Sequence, residues 1–436
     1  MNKKILQLAL PSIISNITVP LLGLIDVAIV GHLGATAYIG AVAVGGMLFN
    51  ILYWSFGFLR MGTSGLTSQA YGAGLLDESV RTLIRSLIVG IGIGVLFIAF
   101  QLIIENIAFY FIETSDRVRG LAVIYFRICI WGAPALLALY GFTGWFIGMQ
   151  NSRIPMFIAI AQNIMNIVVS LCLVFLFEMK VEGVAIGTLV AQYGGLIMAV
   201  WLYRRYYKKL DFKQHWPNAL CRVAMKRFFS VNSDIFLRTL FLVSVSVFFT
   251  STGAGEGEVI LAVNTLLMQF FTLFSYVMDG FAYAGEALTG RYVGANDFLM
   301  LRRLIRLLFR WGFGLSILFT LLYAFNGNAF IALLTDDEAV VAVSQEYYYW
   351  ALAIPLAGFS AFIWDGIFIG ATATRYMLFS MLIASVSFFI MFYFLHNQWA
   401  NHALWASFIV YLILRGVMQS FFGKSIFRVK ITRNID

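Results

Sequence analysis

The sequence LLGLIDVAIVGHLG, residues 21–34, places one carboxylate, Asp26, in a run of apolar residues and glycines. A charged side chain at the centre of a membrane helix costs about 2.5–3.5 kcal/mol on insertion scales, and such residues commonly mark ion or substrate pathways. In a low dielectric an isolated carboxylate favours its neutral form, which brings its titration within reach of physiological pH. We therefore predict that Asp26 is a proton-coupling or cation-coupling site. The alternative is a structural carboxylate that accepts hydrogen bonds from Asn163 or Asn166.

Other ionisable residues also lie in apolar segments of the chain. Asp234 and Arg238 are four residues apart, on one helical face, and are predicted to neutralise each other. Asp279 and Glu286 also share a face, and Glu286 is expected to be solvated at a helix end. Asp365 is expected to pair with a neighbouring helix or to line a cavity. All five are candidate sites of the C-terminal half.

Two prolines, Pro11 and Pro20, precede Asp26 in the same predicted helix. Proline removes a backbone hydrogen bond and kinks a helix, so this helix can bend as Asp26 changes charge. The alternative is that both prolines only shape the packing.

Aromatic and methionine side chains suit flat, apolar cations, and four of them are weaker candidates for a substrate cavity. These are Met47, Tyr53, Met268 and Tyr276.

The composition indicates an integral membrane protein. Of its 436 residues, 61% are hydrophobic and 12% charged, whereas a soluble protein carries about 25% charged residues. No cleavage site follows a short apolar run, so 5–32 is expected to be a retained span. Apolar segments long enough to cross a bilayer occur near 5–32, 37–59, 82–104, 121–148, 154–177, 183–203, 232–252, 259–284, 303–325, 346–370, 376–395 and 402–423.

The positions of Lys and Arg predict the orientation of these twelve helices. Most of the 30 basic residues fall in alternate loops and in both terminal segments, which places both termini in the cytoplasm. The net charge of +9 then reflects loops that face an anionic leaflet. No basic groove with stacking aromatics is evident, so nucleic-acid binding is not expected.

No motif for a cofactor or for catalysis is evident in the sequence. Three cysteines at wide spacing and four scattered histidines suggest neither disulfides nor a metal site. A nucleotide-binding loop and a catalytic triad are also missing, so a membrane-embedded enzyme is disfavoured. The energy source is therefore expected to be an ion gradient.

The two halves of the chain resemble each other. Pro134 and Arg153 match Pro355 and Arg375, and further matches keep a separation of 221 or 222 residues. We predict an all-α fold of two pseudo-symmetric six-helix bundles, 1–203 and 232–436, joined by a cytoplasmic linker at 204–231. Duplication around a central cavity is the usual plan of a transporter.

The chain resembles the multidrug and toxic compound extrusion (MATE) family, in particular its DinF (DNA-damage-inducible F) subfamily. The resemblance rests on LALPSIISNITVPLLGLIDVAIVGHLG at 8–34, FLRMGTSGLTSQAYGA at 58–73, NSDIFLRTL at 232–240, AVNTLLMQFFTLFSYVMDGFAYAGEALTG at 262–290, WDGIFIGATATR at 364–375 and NHALW at 401–405. It implies export of organic, often cationic compounds in exchange for protons or sodium. It also implies that Asp26 is the ion site of the N-terminal bundle and that helix 1 bends near Pro11.

Members of this family pair this aspartate with an asparagine and a second acid, in an N-x-x-x-D pattern of the fifth span, which is predicted here near 154–177. Here NIMNIVVSLCL places Asn166 and Ser170 at those positions, so the second acid is missing. A single carboxylate suits a proton better than sodium, which prefers several oxygen ligands.

The leading hypothesis is a proton-coupled exporter of small molecules in a bacterial inner membrane, acting as a monomer without cofactor. The alternative is a flippase for a lipid-linked precursor. A flippase for anionic head groups is expected to need several basic residues in its cavity, whereas the sequence indicates Arg238 as the one clear mid-span cation.

Overall fold

The structure is a computed structural model that describes residues 1–32, 35–112, 114–210, 212–216 and 218–428. Regular structure in these residues is helical throughout, with a π-helical turn at Cys172–Leu176 and 3₁₀ turns at Ile130–Gly132 and Gly423–Arg428. The α-helices are α1 Asn2–Gly31, α2 Thr36–Ser55, α3 Phe58–Gly72, α4 Leu76–Ala99, α5 Gln101–Phe111, α6 Asp116–Cys129, α7 Ala133–Gly148, α8 Arg153–Leu171, α9 Val181–Tyr206, α10 Phe212–His215, α11 Arg222–Gly255, α12 Glu258–Gly294, α13 Phe298–Leu334, α14 Glu338–Gly370, α15 Thr374–Trp399 and α16 Asn401–Phe422.

The prediction of twelve spanning helices is confirmed for the described residues. The spans at Thr36–Gly72 and Asp116–Gly148 each combine two consecutive helices, α2 with α3 and α6 with α7. Several helices extend beyond the apolar segments, because helical hydrogen bonding continues into polar turns that hydropathy does not count. The predicted linker at 204–231 is correspondingly shorter, since α9 continues to Tyr206 and α11 begins at Arg222.

Residues Ile14–Phe229 form one compact unit. Its largest core cluster joins α1, α2, α6 and α9, with Phe49 stacked on Tyr53 and on Phe126 at 5.3 Å between ring centroids. A second cluster surrounds Trp145, whose indole Nε1 donates to the Ser79 carbonyl oxygen at 2.9 Å. The first of these clusters holds the segment of α1 that carries Asp26 against neighbouring helices, because Ile29 and Val30 belong to it.

The other unit comprises Ser230–Asp436 together with Met1–Ile13, the first part of α1. The sequence prediction had placed all of α1 with the N-terminal bundle. A reciprocal amide pair fixes α12 to α16: Asn264 Nδ2 donates to Asn401 Oδ1 at 2.8 Å and Asn401 Nδ2 donates to Asn264 Oδ1 at 3.0 Å. Trp405 Nε1 also donates to Asn264 Oδ1 at 2.8 Å, so this buried network satisfies its polar atoms internally.

The internal repeat extends to the closest helix crossings. A Cβ atom added to Gly144 in α7 would overlap the carbonyl oxygen of Arg60 in α3. A Cβ atom added to Gly366 in α14 would overlap the carbonyl oxygen of Ala282 in α12. Gly366 follows Gly144 by 222 residues, and Ala282 follows Arg60 by the same number. Each unit therefore contains the same backbone contact. Glycine permits this approach because it lacks a side chain.

Candidate functional site

Asp26 lies in α1 within the unit Ile14–Phe229, and only 6% of its surface is exposed. Its neighbours Ile25 and Val27 pack against the apolar cluster that includes Val42 and Tyr125. Among the described residues, the Oδ1 atom of Asp26 has no hydrogen-bond partner. A buried ionised carboxylate without a partner is energetically unfavourable, so this position favours protonation or the approach of a cation.

The predicted companions of Asp26 in α8 are bonded to other groups. Asn163 Nδ2 donates to the Thr18 carbonyl oxygen at 3.0 Å, which links α8 to α1. Asn166 Nδ2 donates to Thr188 Oγ1 at 3.0 Å, and Ser170 Oγ donates to Asn166 Oδ1 at 3.5 Å. The alternative in which Asn163 or Asn166 donates to Asp26 therefore finds no support among the described hydrogen bonds. Asn166 and Ser170 are both fully buried and belong to one chain of polar contacts between α8 and α9.

Asp365 in α14 has a quite different environment, with partners on two other helices. Its Oδ2 atom accepts hydrogen bonds from Nη2 of Arg238 in α11 and, at 2.7 Å, from Nη2 of Arg415 in α16. Its Oδ1 atom accepts from Gln419 Nε2 at 2.6 Å. All four side chains are buried. Asp365 thus pairs with neighbouring helices, in a cluster of two guanidinium groups and one carboxylate that carries a net positive charge.

The predicted pairing of Asp234 with Arg238 is wrong. Asp234 Oδ2 accepts a hydrogen bond from Thr374 Oγ1 at 2.8 Å, whereas Arg238 forms its ion pair with Asp365. Residues four apart share a helical face, but a packed helix offers partners on other helices too. Here Arg238 pairs with the carboxylate of Asp365 in α14.

Asp279 and Glu286 differ in burial. Asp279 is half-buried, and Glu286 is 1% exposed, which corrects the expectation that Glu286 is solvated. The backbone of α12 is in close contact with α14 at this point, because a Cβ atom on Gly370 would overlap the Glu286 carbonyl oxygen. The burial of Glu286 thus follows from the tight α12–α14 crossing.

The weaker candidates for a substrate cavity have varied environments. Tyr53 is buried in the apolar core against Phe49, and Met47 is exposed on α2. Met268 and Tyr276 of α12 are half-buried. In α1, Pro11 and Pro20 both lie within one continuous helix, so their role as a hinge stays a prediction.

Sequence reasoning missed Arg415 and Gln419 as partners of Asp365, and it therefore counted too few mid-span cations. Both residues lie in the spanning helix α16 and are four residues apart, on one face. A second overlooked pair joins α5 and α6, where Arg127 Nε donates to Glu105 Oε2 at 2.8 Å. The signal was available in the sequence, because a cation within an apolar span requires an acidic partner on another helix.

Comparison with known proteins decides the family. A model of the MatE family matches residues 11–172 and 235–395, one segment in each half of the chain. The chain belongs to the MatE family. This finding confirms the resemblance stated above, and the two matched segments agree with the internal repeat.

The MATE assignment is supported by individual relatives. The chain is similar to DNA damage-inducible protein F of Escherichia coli strain K12, with 37% identity over 95% of this chain and 90% of that protein. It is also similar to a probable multidrug resistance protein NorM of Photorhabdus laumondii, with 22% identity over 78% of this chain and 76% of that protein. Among solved structures, a MATE transporter in the bent conformation superimposes with a TM-score of 0.85, at 18% identity over 98% of this chain and 95% of that one.

These findings establish the broad class of the protein. It is a multi-pass membrane transporter of the MATE family, a family of multidrug efflux transporters rather than enzymes. Membership of this transporter family implies small-molecule substrates and a lipid bilayer, and the described residues contain twelve helices long and apolar enough to span one.

Proposed function

We propose that this transporter is a secondary active antiporter that exports organic, cationic or amphipathic compounds in exchange for protons by alternating access. The observation that supports this most directly is the isolation of Asp26, a buried carboxylate whose Oδ1 atom has no hydrogen-bond partner among the described residues. Gain or loss of one proton there changes the charge of an apolar region by a full unit. Such a change alters which conformation and which ligand the region stabilises.

The partners of Asp365 argue against that residue as the coupling site. Both of its oxygen atoms accept hydrogen bonds from donors, and two of its three partners are guanidinium groups. A coupling cation would have to displace a buried arginine from a cluster that is already positively charged. Asp26 is therefore the better candidate.

Protons are favoured over sodium at Asp26. Hard metal cations prefer several oxygen ligands, whereas the position that would supply a second carboxylate is Ser170, whose hydroxyl donates to Asn166. Apart from the coupling ion, no cofactor is proposed.

We further propose that the protein is a monomer in the inner membrane of a bacterium, with both termini in the cytoplasm. Three observations support this location and orientation: the even number of spans, the Lys and Arg in alternate loops, and the similarity to a protein of Escherichia coli.

Transport by purified protein in liposomes tests the role of Asp26. A fluorescent organic cation would be followed under an imposed pH gradient, without sodium, for the wild type and for Asp26→Asn. The amide is close in size to the carboxylate but does not ionise, so we expect proton-driven transport to fall to the level of empty liposomes. Asp116→Asn, an exposed carboxylate at the start of α6, serves as the matched control and should transport normally.

The outcomes separate the coupling site from the coupling ion. Full proton-driven transport by Asp26→Asn would show that Asp26 is structural and that another acid couples. Wild-type transport that needs a sodium gradient and ignores the pH gradient would refute proton coupling. Transport that requires neither gradient would refute antiport.

One observation favours the flippase as a second candidate. Arg238 and Arg415 are both buried within spans, and their Nε atoms have no acceptor among the described residues. Such donors suit an anionic head group. Translocation of a fluorescent lipid-linked phosphosugar in the same liposomes, together with no movement of the organic cation, would favour this alternative.

A further inference from the structure

The first turns of α13 carry a line of arginines. Arg302, Arg306 and Arg310 follow one another at intervals of four residues, so they share one face and lie about 6 Å apart along the helix axis. All three are exposed. Among the described residues, neither Arg306 nor Arg310 forms an ion pair. Arg306 and Arg310, two like charges four residues apart on this face, repel each other and favour a bound anion.

These arginines border a groove of about 630 Å³ whose other side is aromatic. Its floor contains Phe309 and Phe313 of α13 and Phe359 of α14, with ring centroids of Phe313 and Phe359 5.8 Å apart. Among the residues that the structure describes, no acidic side chain lines the groove. It lies wholly within the unit formed by Met1–Ile13 and Ser230–Asp436.

Trp364 at the end of the groove is held in position by its neighbours. Its Nε1 atom donates to Ser420 Oγ at 2.7 Å, and its ring lies 5.3 Å from that of Phe309. The indole donor is thus already used, and the ring offers only an apolar surface. The groove therefore combines a basic rim with a rigid apolar floor.

The position of the groove in a spanning helix limits what can fill it. The candidate span of α13 begins at Phe298, so Arg302 lies in its first turns and Arg310 lies about 18 Å further along the helix axis than Phe298. Arginine side chains near the end of a spanning helix extend towards the interface. A ligand that fits must present negative charge at the interface and apolar chains below it. Basic residues at a membrane surface attract anionic lipids in this way.

We propose that this groove binds an anionic phospholipid, with the phosphate between Arg306 and Arg310 and an acyl chain along Phe313 and Phe359. Guanidinium groups bind phosphate oxygens through paired hydrogen bonds, and the aromatic floor covers the chain. Neither Asp26 nor Asp365 is among the residues that line the groove, and the proposal does not depend on the transported substrate.

Native mass spectrometry of the purified full-length protein in detergent tests the proposal. Phosphatidylglycerol would be titrated against phosphatidylcholine with the same acyl chains. The variants are Arg306→Gln, Arg310→Gln and the pair together, and Arg303→Gln is the matched control. Arg303 is an exposed arginine on the same helix that does not line the groove.

We expect one saturable phosphatidylglycerol site on the wild type. Each single variant in the groove should weaken it about fivefold, and the double variant about 25-fold. Arg303→Gln should bind like the wild type. Equal weakening by Arg303→Gln, equal binding of phosphatidylcholine, or equally tight binding of the soluble glycerophosphoglycerol head group would overturn the proposal. The replaced side chains are exposed, and an unchanged thermal unfolding midpoint checks that each variant is folded.

Discussion

At the scale of single residues, two buried aspartates occupy opposite environments. Asp26 is buried between two residues that pack against an apolar cluster, and its Oδ1 atom has no hydrogen-bond partner among the described residues. Asp365 accepts hydrogen bonds from Arg238, Arg415 and Gln419. The first arrangement leaves one carboxylate oxygen without a hydrogen bond from the described residues, whereas the second provides hydrogen-bond donors to both oxygens. The roles proposed for the two acids therefore differ: coupling for Asp26, and contacts that hold α11, α14 and α16 together for Asp365.

The Asp365 cluster predicts a large loss of stability on removal of its carboxylate. Asp365→Asn leaves two buried arginines without a counter-charge, and breaking a buried ion pair in this way costs about 3–5 kcal/mol. Asp234→Asn is the control. The wild-type carboxylate of Asp234 accepts a hydrogen bond from the neutral hydroxyl of Thr374, so its removal leaves no arginine without a counter-charge there. Thermal unfolding in detergent should show a clearly lower midpoint for Asp365→Asn only. Equal midpoints for the two variants would mean that the cluster contributes little.

At the scale of helices, the two units share one type of close helix crossing, in which a glycine contacts the backbone of another helix. Gly144 crosses the backbone of α3 at Arg60, and Gly366 crosses that of α12 at Ala282. Helix starts agree too, since Ser115 and Asp337, also 222 residues apart, cap α6 and α14 with their side chains. The repeat therefore preserves the positions at which helices begin and approach each other. The polar residues differ between the halves.

Alanine substitution at the two crossings is expected to destabilise both units. Gly144→Ala and Gly366→Ala each force a methyl group against a backbone oxygen that is held in a helix, at a cost of about 1–3 kcal/mol. Gly314→Ala is the matched control, because its Cβ atom would meet no atom within 4 Å. Thermal unfolding of the purified variants measures the effect. If Gly314→Ala lowers the midpoint as much as Gly366→Ala, the crossing is not the cause.

At the scale of the whole molecule, the chain divides into two units of similar size at 13/14 and 229/230. The first division falls within α1, between Pro11 and Pro20, and before Asp26. The helix that carries the proposed coupling acid thus contributes residues to both units. The bending of α1 stays a prediction, since α1 is continuous from Asn2 to Gly31.

The proposed topology predicts which cysteines a membrane-impermeant reagent reaches. Cys221 is exposed in the segment between α9 and α11, which is expected in the cytoplasm, whereas Arg117 is exposed in the first turn of α6, at a helix end expected outside. In intact bacteria, a variant whose only cysteine is Cys221 should resist an impermeant maleimide. A variant whose only cysteine is Arg117→Cys should react. Both should react after permeabilisation, and the opposite pattern in intact cells would reverse the orientation.

The sequence by itself determined the number of spans, their internal repeat and the family. Apolar length and motif order carry this information, because a bilayer requires long apolar helices with satisfied backbones. It also singled out Asp26 as a charge in an apolar helix. Only the tertiary structure decided that Asp365 pairs with Arg238 and Arg415, that Glu286 is buried and that Met1–Ile13 joins the C-terminal unit. Spacing along a helix reports which residues share a face, whereas partners on other helices depend on how the helices pack.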